Sequence, residues 1–174
     1  FAETMKAYAK YLEKSDRIEK SNKVLEEVLK IETREAGGRR GIDEAKTLGL
    51  MAWNKHFIQA GGSQQFEDAI TWAEEAMKII KDQNGEHSFL LVEPTSTLAA
   101  ITQFKAEQSS GKEKEKLLQQ AEKLQLSCME TSVANLGEYN PLTAAVMGNL
   151  ARTYGKMKRT AEAEKLLLKS LHVM

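Results

Sequence analysis

The stretch that decides the fold is residues 140–173, which read NPLTAAVMGNLARTYGKMKRTAEAEKLLLKSLHV. Its first half places apolar and small side chains at spacings of three and four, the pattern of one packed face of an α-helix. A polar turn follows at 155–159, and a second helical stripe fills the remainder. Small side chains are expected where the two helices touch, because a larger side chain would hold the helix axes apart. These small residues are Gly148, Ala151, Ala163 and Ser170.

The second half of this predicted hairpin recurs twice earlier in the chain. Residues 66–79 align with residues 160–173 without a gap, and residues 118–131 fit the same frame. All three segments carry an alanine at their fourth position. A helix-turn-helix unit that is copied along a chain indicates an α-solenoid, in which each hairpin packs on its neighbours.

The hairpin resembles a tetratricopeptide repeat, and its long form is similar to the kinesin light chain subgroup. The likeness is carried by the segments LGEYNP at 136–141, GNLA at 148–151 and AEAE at 161–164, together with Tyr154. It is strong over roughly the last forty residues and clear in the two earlier second helices. The resemblance implies an all-α solenoid of about four repeats that forms a right-handed superhelix.

The chain is predicted to be a single domain of four helical repeats. The approximate bounds of the repeats are 1–38, 42–84, 86–135 and 138–174. Pro94 is expected at the start of a helix, because proline in a helix interior removes a hydrogen bond and clashes with the preceding turn. We also interpret the chain as a piece of a longer protein.

Composition narrows the classes of function. The formal net charge is zero, 41% of the residues are hydrophobic and 29% are charged, which is typical of a soluble helical protein. A balanced charge does not favour nucleic acid as the partner. No apolar run is long enough to predict a membrane span. The single cysteine excludes an intrachain disulfide and favours a reducing compartment, so a cytoplasmic location is the expectation.

No sequence motif brings together the groups that catalysis or metal binding needs. Cys128 falls on the position of Ser170, so we predict that it is buried packing and not a nucleophile. The three histidines, at 56, 87 and 172, lack the spacing of metal ligands. The sequence therefore predicts no enzyme, no cofactor and no metal site.

The resemblance implies that the first helix of each repeat lines a concave groove, which holds a peptide or a helix of a partner protein. It also implies that Asn149 contacts the partner's backbone, since a side-chain amide can donate and accept at once. Arg152 and Lys156 lie four residues apart, and they either hold an acidic partner or form an ordinary solvated surface. Trp53 is either an anchor for the partner or a packing residue between repeats. The predicted groove residues are Lys6, Lys10, Trp53, His56, Gln103, Asn149, Arg152 and Lys156.

The first hypothesis for function is therefore a protein–protein interaction module or adaptor. One alternative is a regulatory or substrate-docking region of a larger enzyme, and another is a structural subunit of a large assembly. Binding of a chaperone's terminal carboxylate is not expected, because the positions that would form a carboxylate clamp hold residues such as Gly49, Ser96 and Gly148.

Overall fold

The computed structural model describes residues 1–37, 40–57 and 62–171, without the side chains of 56, 57 and 62–65. Within these ranges the chain forms helices and no strand. A 3₁₀ turn, Phe89–Leu91, precedes the fifth α-helix. The α-helices are α1 (Ala2–Lys14), α2 (Ile18–Glu35), α3 (Ile42–Phe57), α4 (Gly62–Asn84), α5 (Val92–Glu107), α6 (Gly111–Leu136), α7 (Pro141–Lys156) and α8 (Thr160–Leu171).

Consecutive helices pack in pairs, as the repeat pattern predicts: α1 with α2, α3 with α4, α5 with α6, and α7 with α8. The prediction of an all-α protein of helical hairpins is confirmed. The chain divides into two compact units, Phe1–Glu86 and His87–Met174, and each contains two hairpins. The single domain, the bounds of the repeats and the right-handed superhelix stay predictions.

The turns inside the first and the last hairpin share one geometry. Each turn contains a residue other than glycine with positive φ, Asp16 at 56° and Lys158 at 62°. The next residue then donates its backbone N–H to the carbonyl oxygen five residues earlier, at 2.8 Å in the first turn and 2.9 Å in the second. This hydrogen bond is typical of a helix that ends in a left-handed residue. The shared geometry aligns Leu12 with Tyr154 and therefore α1 with α7.

The two prolines lie in the first turn of their helices, where the missing N–H costs least. Pro141 is the first residue of α7, and the side chain of Asn140 caps this helix by accepting the N–H of Leu142 at 2.9 Å. The prediction for Pro94 is confirmed with a shift of two residues, because α5 begins at Val92.

Small residues are buried at three of the four positions where the sequence predicts contact between paired helices. Ala151 of α7 and Ala163 of α8 are buried in one apolar cluster with Leu150 and Tyr154. Ser170 is buried further along α8. The equivalent alanines of the earlier second helices, Ala69 and Ala121, are also buried, as the alignment of the three segments predicts.

The prediction for Gly148 is wrong. A Cβ atom built on this residue would meet no atom within 4 Å, so the glycine does not allow a close helix contact. Gly148 is half-buried on α7, whereas Ala151 and Tyr154 are buried against α8. Sequence spacing alone did not fix which side of α7 faces its partner.

Replacing Gly148 with alanine should therefore raise the free energy of unfolding by about 0.5–1 kcal/mol, because alanine favours the helix and meets open space. Urea unfolding followed by circular dichroism measures the change. The matched control is Gly137→Ala, which should destabilise the protein because Gly137 has a φ of 83°. A loss of stability in Gly148→Ala would restore the close-contact interpretation.

Candidate functional site

The candidate site in the second unit is the exposed surface of its two first helices, α5 and α7, which lie side by side. We call it the α5/α7 face. Its residues are exposed or half-buried, recur at spacings of three and four, and contrast with the mostly buried remainder of both helices. On α5 they are Glu93, Ser96, Ala100, Phe104 and Glu107, and on α7 they are Leu142, Ala145, Asn149, Arg152 and Lys156.

Two contacts hold polar side chains of this face in place. The side-chain amide of Asn149 donates from Nδ2 to Oγ of Ser96 at 3.3 Å. The ammonium of Lys156 lies 2.9 Å from Oε1 of Glu107. Among the described residues the carbonyl oxygen of Asn149 has no hydrogen-bond partner, so the oriented amide can still accept from a ligand.

Arg152 lies on α7 between these two contacts. Its side chain is exposed and has no ion-pair partner among the described residues. Lys156 differs, because its charge is shared with Glu107, and an exposed pair of this kind contributes little to stability. The α5/α7 face therefore presents the guanidinium of Arg152, which has no ion-pair partner among the described residues, beside the oriented amide of Asn149.

Small residues lie on and beside the α5/α7 face. Ser96 and Ala100 lie on α5, and Ala145 and Gly148 lie on α7. No atom occupies the space beside the Cα of Gly148. Small residues let the main chain of a ligand approach a helix closely.

Gln103 does not belong to this face. It is buried, and its Oε1 accepts the hydroxyl of Thr153 at 3.2 Å. The prediction that Gln103 contacts a partner is wrong, because this side of α5 faces α7 and not solvent.

In the first unit, Lys10 and Trp53 lie at accessible positions of α1 and α3. Lys10 is exposed, and about a third of Trp53 is exposed, while its indole N–H donates to Oε1 of Glu13 at 3.2 Å. The indole therefore packs partly against α1, and its role as an anchor stays a prediction. The side chain of His56 lies outside the described part of the chain.

The prediction that Lys6 faces the groove is wrong. Lys6 is 6% exposed, and its ammonium lies 2.7 Å from Glu32 and 2.9 Å from Glu3. Glu32 also accepts the hydroxyl of Thr47 at 2.8 Å, so α1, α2 and α3 meet at one polar contact. Burial alone would lower the pKa of Lys6, but the hydrogen bonds with Glu32 and Glu3 outweigh it and raise the pKa.

Sequence reasoning missed the small residues of the α5/α7 face, because they carry no reactive group. One signal could have revealed them. Gly49, Ser96 and Gly148 share a single position in the aligned first helices, and the space beside both glycines is open. A recurrent small residue on the exposed side of repeated helices favours a surface for close contact with a ligand.

The described residues provide no reactive centre at Cys128. This thiol is buried, donates to the carbonyl oxygen of Val92 at 3.1 Å, and has its pKa raised by burial to about 12. The prediction that Cys128 is packing is confirmed. In the described ranges, no group of three or more His, Cys, Asp and Glu side chains could hold a metal ion. No described helix has the length and hydrophobicity needed to cross a membrane.

The hairpins, their shared turn geometry and the buried alanines are features that the chain shares with tetratricopeptide repeats. Residues 112–174, which include most of α6 and all of α7 and α8, match the tetratricopeptide repeat family. The resemblance to this class that the sequence predicts is thereby confirmed.

Among known proteins, the chain is similar to amyloid protein-binding protein 2 of Rattus norvegicus and of Mus musculus. Each is 31% identical to it over 160 residues, which is 91% of this chain and 27% of the relative. The chain thus spans about a quarter of the length of the curated relatives that it matches.

The chain is also similar to two solved structures. BtubC (BKLC) from P. vanneervenii has a TM-score of 0.75 at 20% identity, over 98% of this chain and 61% of that one. This likeness shows the fold alone. A putative kinesin light chain from Podosopora anserina with nearly identical TPR-like repeats has a TM-score of 0.47 at 14% identity, over 98% of this chain and 93% of that one.

Proposed function

We propose that the chain is a protein-binding module without catalytic activity of its own, and that its α5/α7 face holds a segment of a partner protein. One observation supports this most: Asn149 is oriented by Ser96, keeps an unpaired carbonyl oxygen among the described residues, and lies beside the uncommitted Arg152. An oriented amide costs little further ordering when it binds a ligand.

The chemistry of the face favours an extended segment with an acidic side chain. The amide of Asn149 can accept an N–H from the main chain of such a segment, as side-chain amides do in peptide recognition. The guanidinium of Arg152 can bind a carboxylate with two parallel hydrogen bonds. The small residues on and beside the face leave room for the main chain of the partner segment to lie between these two groups.

The first unit has candidate contacts of the same kind. Lys10 is an exposed cation on α1, and the exposed part of Trp53 can cover an apolar side chain of a partner. His56 remains a proposed contact as well. The name of the mammalian relatives says that they bind amyloid protein. For this chain we propose a protein partner with an acidic segment, bound by a module within a longer protein.

The test combines Asn149→Ala with Arg152→Glu. Once affinity capture has identified a partner, calorimetric titration should show at least a tenfold loss of affinity in the double variant. The loss follows from the removal of a hydrogen-bonding amide and the repulsion between the new carboxylate and an acidic ligand; tenfold is about 1.4 kcal/mol. Helix content by circular dichroism should not change, because both side chains lie on the surface.

The matched control is Lys123→Glu, which reverses the charge of an exposed lysine on α6. Its affinity should stay within about twofold of the wild-type value, since a surface charge outside an interface contributes little. Unchanged affinity in the double variant, or an equal loss in Lys123→Glu, would contradict the assignment of the α5/α7 face.

A further inference from the structure

One side of α7 packs against the preceding hairpin, and the residues on it recur at spacings of three, four and three. Thr143 lies 2.7 Å from Ser132 of α6 through the two hydroxyls. Val146 packs in a cluster with Cys128 of α6, and Thr153 donates to Gln103 of α5. The four α7 residues on this side are Thr143, Val146, Leu150 and Thr153.

The first unit repeats this arrangement in α3. Thr47 donates to Glu32 of α2 at 2.8 Å, and Asn54 donates to Ser21 of α2 at 2.8 Å. Met51 packs in a cluster with residues of α1 and α2. The four α3 residues at the matching positions are Glu44, Thr47, Met51 and Asn54.

In α1 the matching positions are exposed. Tyr8 and Tyr11 are 53% and 61% exposed, whereas their counterparts in α3 and α7 are at most 2% exposed. Phe1 is 88% exposed, and Thr4 is exposed too. We call these four residues, Phe1, Thr4, Tyr8 and Tyr11, the aromatic face of α1.

The aromatic face does not have the composition of a surface that stays in water. Three of its four side chains are aromatic, and the rings of Tyr8 and Tyr11 stack with centroids 6.5 Å apart. The terminal repeat of a solenoid usually turns a polar face to solvent. A contiguous exposed apolar strip favours a surface that another element covers.

We propose that the aromatic face of α1 is covered by a further helical hairpin of the same class, whose second helix packs on α1 as α2 packs on α3. The equivalent face of α3 packs on α2, and the equivalent face of α7 packs on α6, so in each unit a second helix covers it. The matched relatives are also long enough to supply further hairpins, because the chain spans only 27% of their length. Tyrosine suits such an edge, because its ring is buried while its hydroxyl reaches a polar partner.

A second copy of this chain is the competing occupant. Leu167 of α8 is 47% exposed, although the equivalent Leu25 of α2 is buried. The α8 side of one copy could then stack on the aromatic face of another, in a head-to-tail contact. Such a contact does not close on itself, so it would produce a series of concentration-dependent oligomers.

The test measures amide hydrogen exchange of α1 in the 174-residue chain and in the complete natural protein that contains it. The α1 amides should exchange at least tenfold more slowly in the complete protein, because a packed hairpin suppresses local opening. Tyr8→Ser combined with Tyr11→Ser should remove most of this protection, and should change little in the 174-residue chain. Tyr139→Ser, at an exposed tyrosine outside the aromatic face, is the matched control and should have no effect on either protein.

Equal exchange of α1 in the two proteins would overturn the proposal. Equal loss of protection in both proteins on replacing the tyrosines would also overturn it, since the rings would then serve the chain's own fold. Sedimentation velocity distinguishes the second copy: oligomers of the 174-residue chain that the double variant returns to monomers would assign the face to self-association.

Discussion

Replacing Lys6 with alanine should lower the free energy of unfolding by about 3 kcal/mol. The substitution leaves the carboxylate of Glu32 buried with only the hydroxyl of Thr47 as a close partner. We expect the low end of the range for breaking a buried ion pair, because the other partner, Glu3, is exposed and screened by water. Chemical denaturation at pH 7 measures the loss.

The matched control is Lys10→Ala, at an exposed lysine one helical turn further along α1. It should change the free energy of unfolding by less than about 0.5 kcal/mol. The pKa of Lys6 is raised in the folded state, so its contribution is fully present below the pKa of an unfolded lysine. The contribution should be lost as the pH rises through the higher folded-state pKa. Equal effects of the two substitutions would show that Lys6 is not a buried partner of Glu32.

Replacing Ala121 with leucine should lower the free energy of unfolding by about 2–3 kcal/mol. Ala121 of α6 has no exposed surface, and α6 packs on α5 in this hairpin. A larger side chain there must push the two helices apart or adopt a strained rotamer, because protein interiors are close-packed. The same logic applies to Ala69 and Ala163, which hold the equivalent position.

The control for Ala121→Leu is Ala134→Leu, at an exposed alanine of the same helix. This change should alter stability by less than about 0.5 kcal/mol, since the leucine points into solvent. Thermal and urea unfolding of both variants give the comparison. If Ala121→Leu lowered the free energy of unfolding no more than Ala134→Leu, Ala121 would not lie at a close helix contact. The alanine shared by the three aligned segments would then not indicate such a contact.

Much of the fold could be predicted from the sequence, because the signals for the hairpins are local. Asn140-Pro141 marks a capped helix start, and the alanine shared by residues 66–79, 118–131 and 160–173 marks the helix contact. The environment of Gly148 could not be predicted from such local signals. A glycine suits a close contact and an open surface equally well, and only the packing of α7 against its neighbours decides between them.

The candidate site was harder to predict, because exposure depends on contacts distant in sequence. Lys6 looks like a surface lysine on an amphipathic helix, yet its partner Glu32 lies 26 positions away on another helix. Gln103 is also buried, and its hydrogen-bond partner Thr153 lies 50 positions away on another helix. Asn149 is half-buried and Arg152 is exposed on α7, and their role in binding stays a prediction.

Photo-crosslinking measures whether the partner lies on the α5/α7 face. A photoreactive phenylalanine at Ala145, an exposed residue of this face, is compared with the same group at Lys123 of α6. We expect a covalent adduct with the captured partner from position 145 and none from position 123. An adduct from position 123 alone would show that the partner binds α6 and not the α5/α7 face.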